Sequence, residues 1–406
     1  MNKCLICDSA AAPFMSFGQM PVANGFLSPS QFENEYFFEL SVVFCPNCRM
    51  VQLAKQPDRE RMFNENYAFF SSTSTRMAEH FRAFAEMVVT KYLGQSDPFV
   101  VELGSNDGIM LQNFRNLGIR HLGIEPSANV AQVAIDKGIR AICRFFDEEL
   151  ASEIVAVDGQ ADAILGANVM CHIPYLHSVV AGMKTLLKPE GVIIFEDPYL
   201  GDIVEKISYD QIYDEHAFYF SLASVSYLFN LHGLEVIDVE PQHVHGGSMR
   251  YTISHTGARE VSSAVIELQG REEAQGLHRL ETFERLRQNI ERSRDELRSL
   301  LTNLRQEGKR IVGYGATSKS TTVTNYCGIT PDLVSFISDT TPIKQNKFSP
   351  GVHIPVRAYQ EFADQYPDYA LLFAWNHADE IMAKEQKFQA AGGQWIVYVP
   401  NVEVRG

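Results

Sequence analysis

The stretch SYDQIYDEHAFYFS places Tyr213, Asp214, Glu215 and His216 in consecutive positions. Imidazole titrates near neutrality and is the side chain most often used to abstract a proton. Glu215 beside it can orient or polarise the site, and Tyr213 offers a phenol donor. Such a trio in an aromatic-rich segment is also ordinary packing, so its chemistry depends on what the rest of the chain supplies.

Two further sets of residues have spacings that chemistry uses. Cys4-x-x-Cys7 and Cys45-x-x-Cys48 bring four thiols in two knuckles, the pattern that surrounds one tetrahedral zinc ion. Asp8, Pro46 and Asn47 suit the tight turns required, and residues 8–44 between the knuckles must form a small structure of their own. The bland reading is four buried, unligated thiols. With four cysteine ligands the metal would be structural, without an open position for catalysis.

The run PFVVELGSNDGIMLQNF reads as an apolar strand, a turn and a helix. Gly104 and Gly108 allow backbone to approach a ligand at that turn. The next strand, HLGIEP, ends on Glu125, where a carboxylate grips ribose hydroxyls in dinucleotide-type folds. The pattern Glu102-x-Gly104-x-Asn106-x-Gly108 departs from G-x-G-x-x-G and makes little provision for a pyrophosphate. It resembles motif I of class I S-adenosylmethionine (SAM) methyltransferases, which makes Glu102, Gly104, Asn106, Gly108 and Glu125 candidate cofactor residues.

The elements that must position these residues follow from periodicity. Met77, Phe81, Phe84, Val88 and Tyr92 recur at helical spacing, capped by Ser74 or Thr75, after an aromatic loop that carries Tyr67 towards a cleft. AICRFF, ADAILGANVM and GVIIFEDP add strands with helical stretches between them, predicting a parallel, doubly wound sheet. Ligands bind at the carboxyl ends of such strands. Asn168, His172, Glu196 and Asp197 fall there, with turn and cap roles as the alternative. LEVIDVEPQ and SMRYTISH read as two closing strands, joined by a turn containing His245, Gly246 and Gly247, with Arg250 just beyond. Residues 260–308 form a long amphipathic helix or helix pair that joins domains or dimerises. The last hundred residues restart an α/β pattern. There RIVGYGATSKSTT carries Tyr314 and Lys319 at a helix start, and Lys344 and Lys347 follow, a set that suits a phosphorylated ligand.

Composition bounds the function. The chain has 406 residues, 45% hydrophobic and 21% charged, with a formal net charge of -15. It can bury two or three cores. The charge argues against nucleic acid and anionic membranes as partners. No run approaches the roughly 18 apolar residues of a membrane helix, and MNKCLICDSA has no signal-peptide core. With four of seven cysteines in two tight pairs, a reducing, cytoplasmic location is expected.

In combination, the paired C-x2-C knuckles, ELGSNDG, IYDEHAFYFS, HGGSMR, VGYGATSK and DTTPIKQNKFSPGVHIPV resemble the sugar C-methyltransferases that act on nucleotide-linked keto-deoxysugars. The family is typified by the tetronitrose-pathway C-3′-methyltransferase, and the resemblance spans essentially the whole chain. It implies a zinc-binding module over 1–65, a SAM-dependent Rossmann-like core over 66–258, a helical connector over 259–308 and a C-terminal Rossmann-like α/β domain over 309–406. It implies SAM as cofactor, structural Zn2+, and a nucleotide sugar between the core and the C-terminal domain. His216 then takes the catalytic position, with Tyr213, Glu215 and Tyr67 around it. Asn168 joins the cofactor set, while His172, Glu196, His245, Arg250, Tyr314, Lys319 and Lys344 face the substrate. Thr317-Ser318 precede Lys319 where the family usually has Pro-Ala, a departure at the nucleotide contact. The expected reaction is proton removal from C3 beside a C4 ketone, then attack of the enolate on the SAM methyl. The alternatives are an O- or N-methyltransferase of the same fold, or a non-catalytic ligand-binding or assembly protein. The nucleotide base, the choice of C3 or C5, and monomer or homo-oligomer stay open.

Overall fold

The computed structural model of the chain describes residues 2–57 and 75–406. Tyr67 lies outside them. Three sheets organise the described residues. The first is antiparallel and built on β1 (Asn2–Lys3), β2 (Ala10–Pro21), β3 (Phe37–Phe44) and β4 (Val51–Leu53). Its last strand comes from far along the chain: β10 (Phe218–Tyr219) pairs with β4, Phe218 opposite Gln52 and Tyr219 opposite Val51.

The second sheet has seven strands. Its parallel part is β5 (Phe99–Leu103), β6 (Arg120–Ile124), β7 (Ala141–Ile142), β8 (Ala161–Ala167) and β9 (Leu187–Pro198). Beyond β9 lie β12 (Ser248–His255) and then β11 (Leu234–Gln242), giving the order β11-β12-β9-β8-β5-β6-β7. β12 is antiparallel to both neighbours, so the predicted parallel sheet is in fact mixed. The reason is local: β11 and β12 are joined by a short turn, and only antiparallel strands can be joined so closely. Every residue of β5 is buried, as expected for a central strand covered on both faces. Phe84, Val88, Val100, Phe114 and Ile194 fill one face, and Leu103, Ile124, Ile154, Val179 and Phe195 fill the other.

The predicted helix after the Tyr67 loop is α1 (Thr75–Tyr92). Residues 260–308 form two helices, α2 (Ser263–Gln275) and α3 (Leu280–Gln306), separated at Gly276. Gly276 has φ +72°, a conformation glycine adopts freely and one that ends α2. The apolar stripe of α3 is spent within the chain. Phe283 packs against Phe14 and Phe44 of the first sheet, ring centroids 5.2 and 4.7 Å away. Leu286, Ile290, Leu297 and Leu301 continue into the core of the third sheet.

The third sheet runs β15-β14-β13-β16-β17-β18. Its members are β13 (Ile311–Tyr314), β14 (Ile337–Asp339), β15 (Val356–Ala358), β16 (Tyr369–Leu372), β17 (Gln394–Val397) and β18 (Glu403–Arg405). All but β18 are parallel, and α4 (Ser318–Tyr326) follows β13. No helix among the described residues is long and apolar enough to cross a membrane.

Candidate active site and zinc centre

A cleft opens at the carboxyl ends of β5, β6 and β8. Gly104, Asn106, Glu125 and Asn168 line it, and Met77, Phe81, Ile124, Phe146 and Ile173 supply apolar walls. The turn after β5 is held by Glu125, whose carboxylate accepts hydrogen bonds from the Asn106 and Ser127 backbone N–H groups at 3.0 and 2.8 Å. The glycines have a partly different reason from the one the sequence suggests. A Cβ on Gly104 would stand 2.7 Å from Val169, and one on Gly108 2.8 Å from Ile139; both residues have positive φ. Close packing and backbone conformation therefore demand them, while only Gly104 also borders the cleft. Glu102 lies beneath the turn, fully buried; burial, with Glu125 and Asp107 nearby, pushes its carboxyl well above the usual range.

The cleft fits a SAM molecule by its donor set. Apolar walls suit adenine and the thioether chain, and Glu125 stands where ribose hydroxyls are gripped. Asn168, the residue after β8, has positive φ, and its Oδ1 is buried with no hydrogen-bond partner among the described residues. A buried polar atom of this kind calls for a ligand partner.

His172 lines the cleft, and the His216 ring stacks against it, ring centroids 5.2 Å apart and 20° from parallel. His216 is buried, and its Nδ1–H donates to the Gln211 carbonyl at 2.7 Å. That bond fixes the tautomer and leaves Nε2 as the basic nitrogen; Nε2 has no partner among the described residues. Burial, reinforced by His172, holds the His216 pKa well below the usual imidazole range, so the ring is neutral at physiological pH. His172 itself is lowered to about 3 by burial and His245. The Tyr213 ring lies 4.2 Å from that of His216.

The segment 210–216 is clamped from both sides. From the turn after β2, Ala23 N–H donates to Asp214 Oδ1 at 2.9 Å and Asn24 Nδ2 donates to Glu215 Oε1 at 2.6 Å. From α4, the Thr322 hydroxyl donates to the Ile212 carbonyl and the Thr321 hydroxyl to the Ala23 carbonyl, both at 2.8 Å. Trp375 and Tyr398 donate to Asp210 at 2.6 and 2.8 Å. Burial raises Asp214 to about 7; burial and the Asp214 charge raise Glu215 to about 8. Near neutrality Glu215 is therefore largely a neutral acid. Asn24 escaped sequence reasoning altogether, since nothing local distinguishes VANG from an ordinary turn.

The remaining candidates divide. His245 lines the cleft, and its carbonyl accepts from Lys319 Nζ at 3.1 Å. Lys319 also stands 4.9 Å from the Trp375 ring centroid. Lys344 donates to the Ala316 carbonyl at 2.8 Å and lies close enough to lower the Glu215 pKa. Both lysines thus lie beside the segment 210–216, Lys319 near Asp210 and Lys344 near Glu215. Glu196 and Arg250, read from sequence as facing substrate, are instead paired with each other in the interior. Glu196 also meets His80 at 2.6 Å, and Arg250 meets Glu240 at 3.0 Å. A buried charge needs such partners; here they tie α1 to β9 and β12. Tyr314 likewise turns inward, its hydroxyl donating to Glu385 at 2.8 Å within the third sheet's core.

The four predicted zinc ligands converge. Cys4, Cys7, Cys45 and Cys48 place their sulfurs within 4.8 Å of one another, with Cys4–Cys48 and Cys7–Cys45 at 3.4 Å. Both knuckles turn alike: Asp8 N–H returns to the Cys4 carbonyl and Arg49 N–H to the Cys45 carbonyl, and Asp8 and Arg49 have positive φ. The donors fit a tetrahedral, closed tetrathiolate zinc site.

Comparison with known proteins agrees with this geometry. Family models match in chain order: a zinc binding domain over 4–63, a methyltransferase domain over 75–239, and a C-methyltransferase C-terminal domain over 243–400. The class is therefore a SAM-dependent methyltransferase with a zinc-binding N-terminal module. The C-methyltransferase NovU of Streptomyces niveus is 35% identical over 408 aligned residues, covering 100% of this chain and 97% of that protein. The chain belongs to this C-methyltransferase family. A ubiquinone biosynthesis O-methyltransferase of Nitrosococcus oceani is 30% identical over 100 residues, 24% of this chain and 42% of its own. A SAM-dependent methyltransferase structure from Anabaena variabilis covers 43% of this chain and 84% of its own, at 17% identity and a TM-score of 0.34, too distant to bear on the assignment.

Proposed function

We propose that the acceptor is a nucleotide-diphosphate-linked 4-keto-6-deoxysugar, methylated at C3 with His216 as the base. The observation that carries this reading is the buried, neutral His216, whose Nδ1–H is engaged by Gln211 and whose Nε2 has no partner among the described residues. A carbon beside a ketone is acidic enough for imidazole to deprotonate when the enolate is stabilised. Tyr213 and the neutral Glu215 acid supply donors near the base, and donors fixed in place before reaction are often the largest catalytic term. Bound SAM supplies an electrophilic methyl group. The other task of the chain is to hold two ligands in line: the cleft from Gly104 to Asn168 for the methyl donor, and the region of His245, Lys319 and Lys344 for a phosphorylated partner. The catalytic assignment of Tyr67 rests on the family resemblance alone. The four cysteines leave the zinc no open position, so it is structural.

The test is mass spectrometry of protein incubated with SAM and dTDP-, GDP-, CDP- and UDP-linked 4-keto-6-deoxysugars. Gain of one methylene on one member supports the reading, and NMR then places the carbon. No gain on any member, with SAM demonstrably bound, would sink it in favour of another acceptor.

A further inference from the structure

A second group of metal-binding side chains sits inside the candidate active site. Cys171 and His172 are adjacent on the turn Met170–His172 that follows β8, and His216 faces them. Their ligand atoms lie within 4.8 Å of one another. We propose that Cys171, His172 and His216 form a binding site for a divalent transition-metal cation of the Zn2+ class, and that its occupancy withdraws His216 from catalysis.

Geometry and ligand chemistry both support this. One thiolate and two imidazoles suit Zn2+ or Co2+ and disfavour Mg2+ and Ca2+, which require oxygen. Neighbouring ligand atoms in a tetrahedral site stand roughly 3.3–3.6 Å apart, given metal–nitrogen and metal–sulfur bonds of about 2.0 and 2.3 Å. Closure therefore needs side-chain shifts of only about 1 Å. His216 is already arranged as metal-bound histidines are, with its other nitrogen donating to a backbone carbonyl, that of Gln211, at 2.7 Å. Its Nε2 is buried with no hydrogen-bond partner among the described residues, which leaves it as the nitrogen available to a metal.

The surroundings favour a dication. Asp197 Oδ2 accepts the Cys171 N–H at 3.3 Å, while Asp197 Oδ1 and Asp214 Oδ2 are buried without hydrogen-bond partners among the described residues. On binding, the Cys171 S–H bond breaks and a sulfur–metal bond forms. The proton is released to solvent. Three protein ligands leave a fourth position for water.

The inhibition rests on His216 being the base; the binding does not. Protein retaining its tetrathiolate zinc is titrated with Co2+ under reducing conditions, following cobalt absorption and total metal per chain. The expected result is one cation beyond the structural zinc, with a thiolate-to-cobalt band. Cys171→Ala, with Cys171→Ser as a second variant, is expected to weaken that binding at least ten-fold. The Zn2+ concentration for half-inhibition, taken relative to each variant's own turnover without added metal, rises at least ten-fold. Absence of a second bound cation, or unchanged affinity in both variants, overturns the site. A second cation that depends on Cys171 yet leaves turnover unaffected upholds the site and overturns the role of His216.

Discussion

Asn24 donates a 2.6 Å hydrogen bond to Glu215, a residue 191 positions further along the chain. The zinc-bearing module thus reaches into the segment 213–216, where the neighbouring Ala23 backbone N–H also donates to Asp214. Removing the Asn24 amide should loosen Glu215 without touching the methyl-donor cleft. Asn24→Ala is expected to lower kcat about ten-fold, the scale of a hydrogen bond to a group in a tuned site. SAM affinity should stay unchanged, as checked by calorimetry beside steady-state kinetics. A variant that loses both together would show that Asn24 supports the fold rather than Glu215.

His216→Ala removes the proposed base while leaving Gly104, Glu125 and Asn168 in place. Turnover should fall by at least about 100-fold, with S-adenosylhomocysteine still binding at wild-type affinity. Near-normal turnover would refute the assignment.

Glu125 carries both the turn after β5 and the expected ribose contact. Glu125→Ala should weaken donor binding by roughly ten-fold or more, since hydrogen bonds to charged groups contribute about 1.5–3 kcal/mol. Fluorescence titration with S-adenosylhomocysteine measures it. Unaltered affinity would remove Glu125 from the cofactor site.

The zinc prediction concerns stability. One zinc per chain is expected, and Cys4→Ser and Cys45→Ser should each lose it together with a marked drop in Tm. Metal binding to a structural tetrathiolate is part of the folding free energy, with apparent values of about 10 kcal/mol or more in small zinc modules. Full zinc occupancy in both variants, by elemental analysis, would refute the four-ligand site.

Asp214 makes the protein's stability depend on pH in a defined direction. Its folded-state pKa of about 7 lies above the ordinary 3.8. Between those values the folded state holds a proton that the unfolded state has released, so this contribution is fully present below about pH 4 and lost as pH rises to about 7. The slope is on the order of 1.4 kcal/mol per pH unit. Asp214→Asn keeps the acceptor for Ala23 and removes the titration. Its Tm should therefore gain on wild type from pH 5 to about 7, and a constant difference across that range would contradict the burial argument.

Much of the site could be read locally. The cysteine knuckles, the turn after β5 and Glu125 are short-range patterns whose spacing is set by backbone geometry, and all of them assemble. Chain-distant pairing was not legible. Arg250 looks like a substrate ligand because its type suits anions, yet its partners Glu196 and Glu240 can only be named once β9, β11 and β12 are adjacent. Tyr314 sits in a motif at a predicted helix start, but the strand alternation that sends its hydroxyl to Glu385 depends on register. Asn24 carries no signature because its role exists only through residues near 215.

The pairing of β10 with β4 has a consequence for how the protein is made. Until residues 218 and 219 have left the ribosome, the edge of β4 has no strand to cover it, and an uncovered edge is where chains pair wrongly with one another. The zinc can clasp its four cysteines early, but the sheet beside it closes only after most of the methyltransferase core has been synthesised. Nascent chains arrested before β10 should therefore aggregate more readily than chains that include it, and the order of synthesis makes β10, just past residues 213–216, the last strand of the first sheet to arrive.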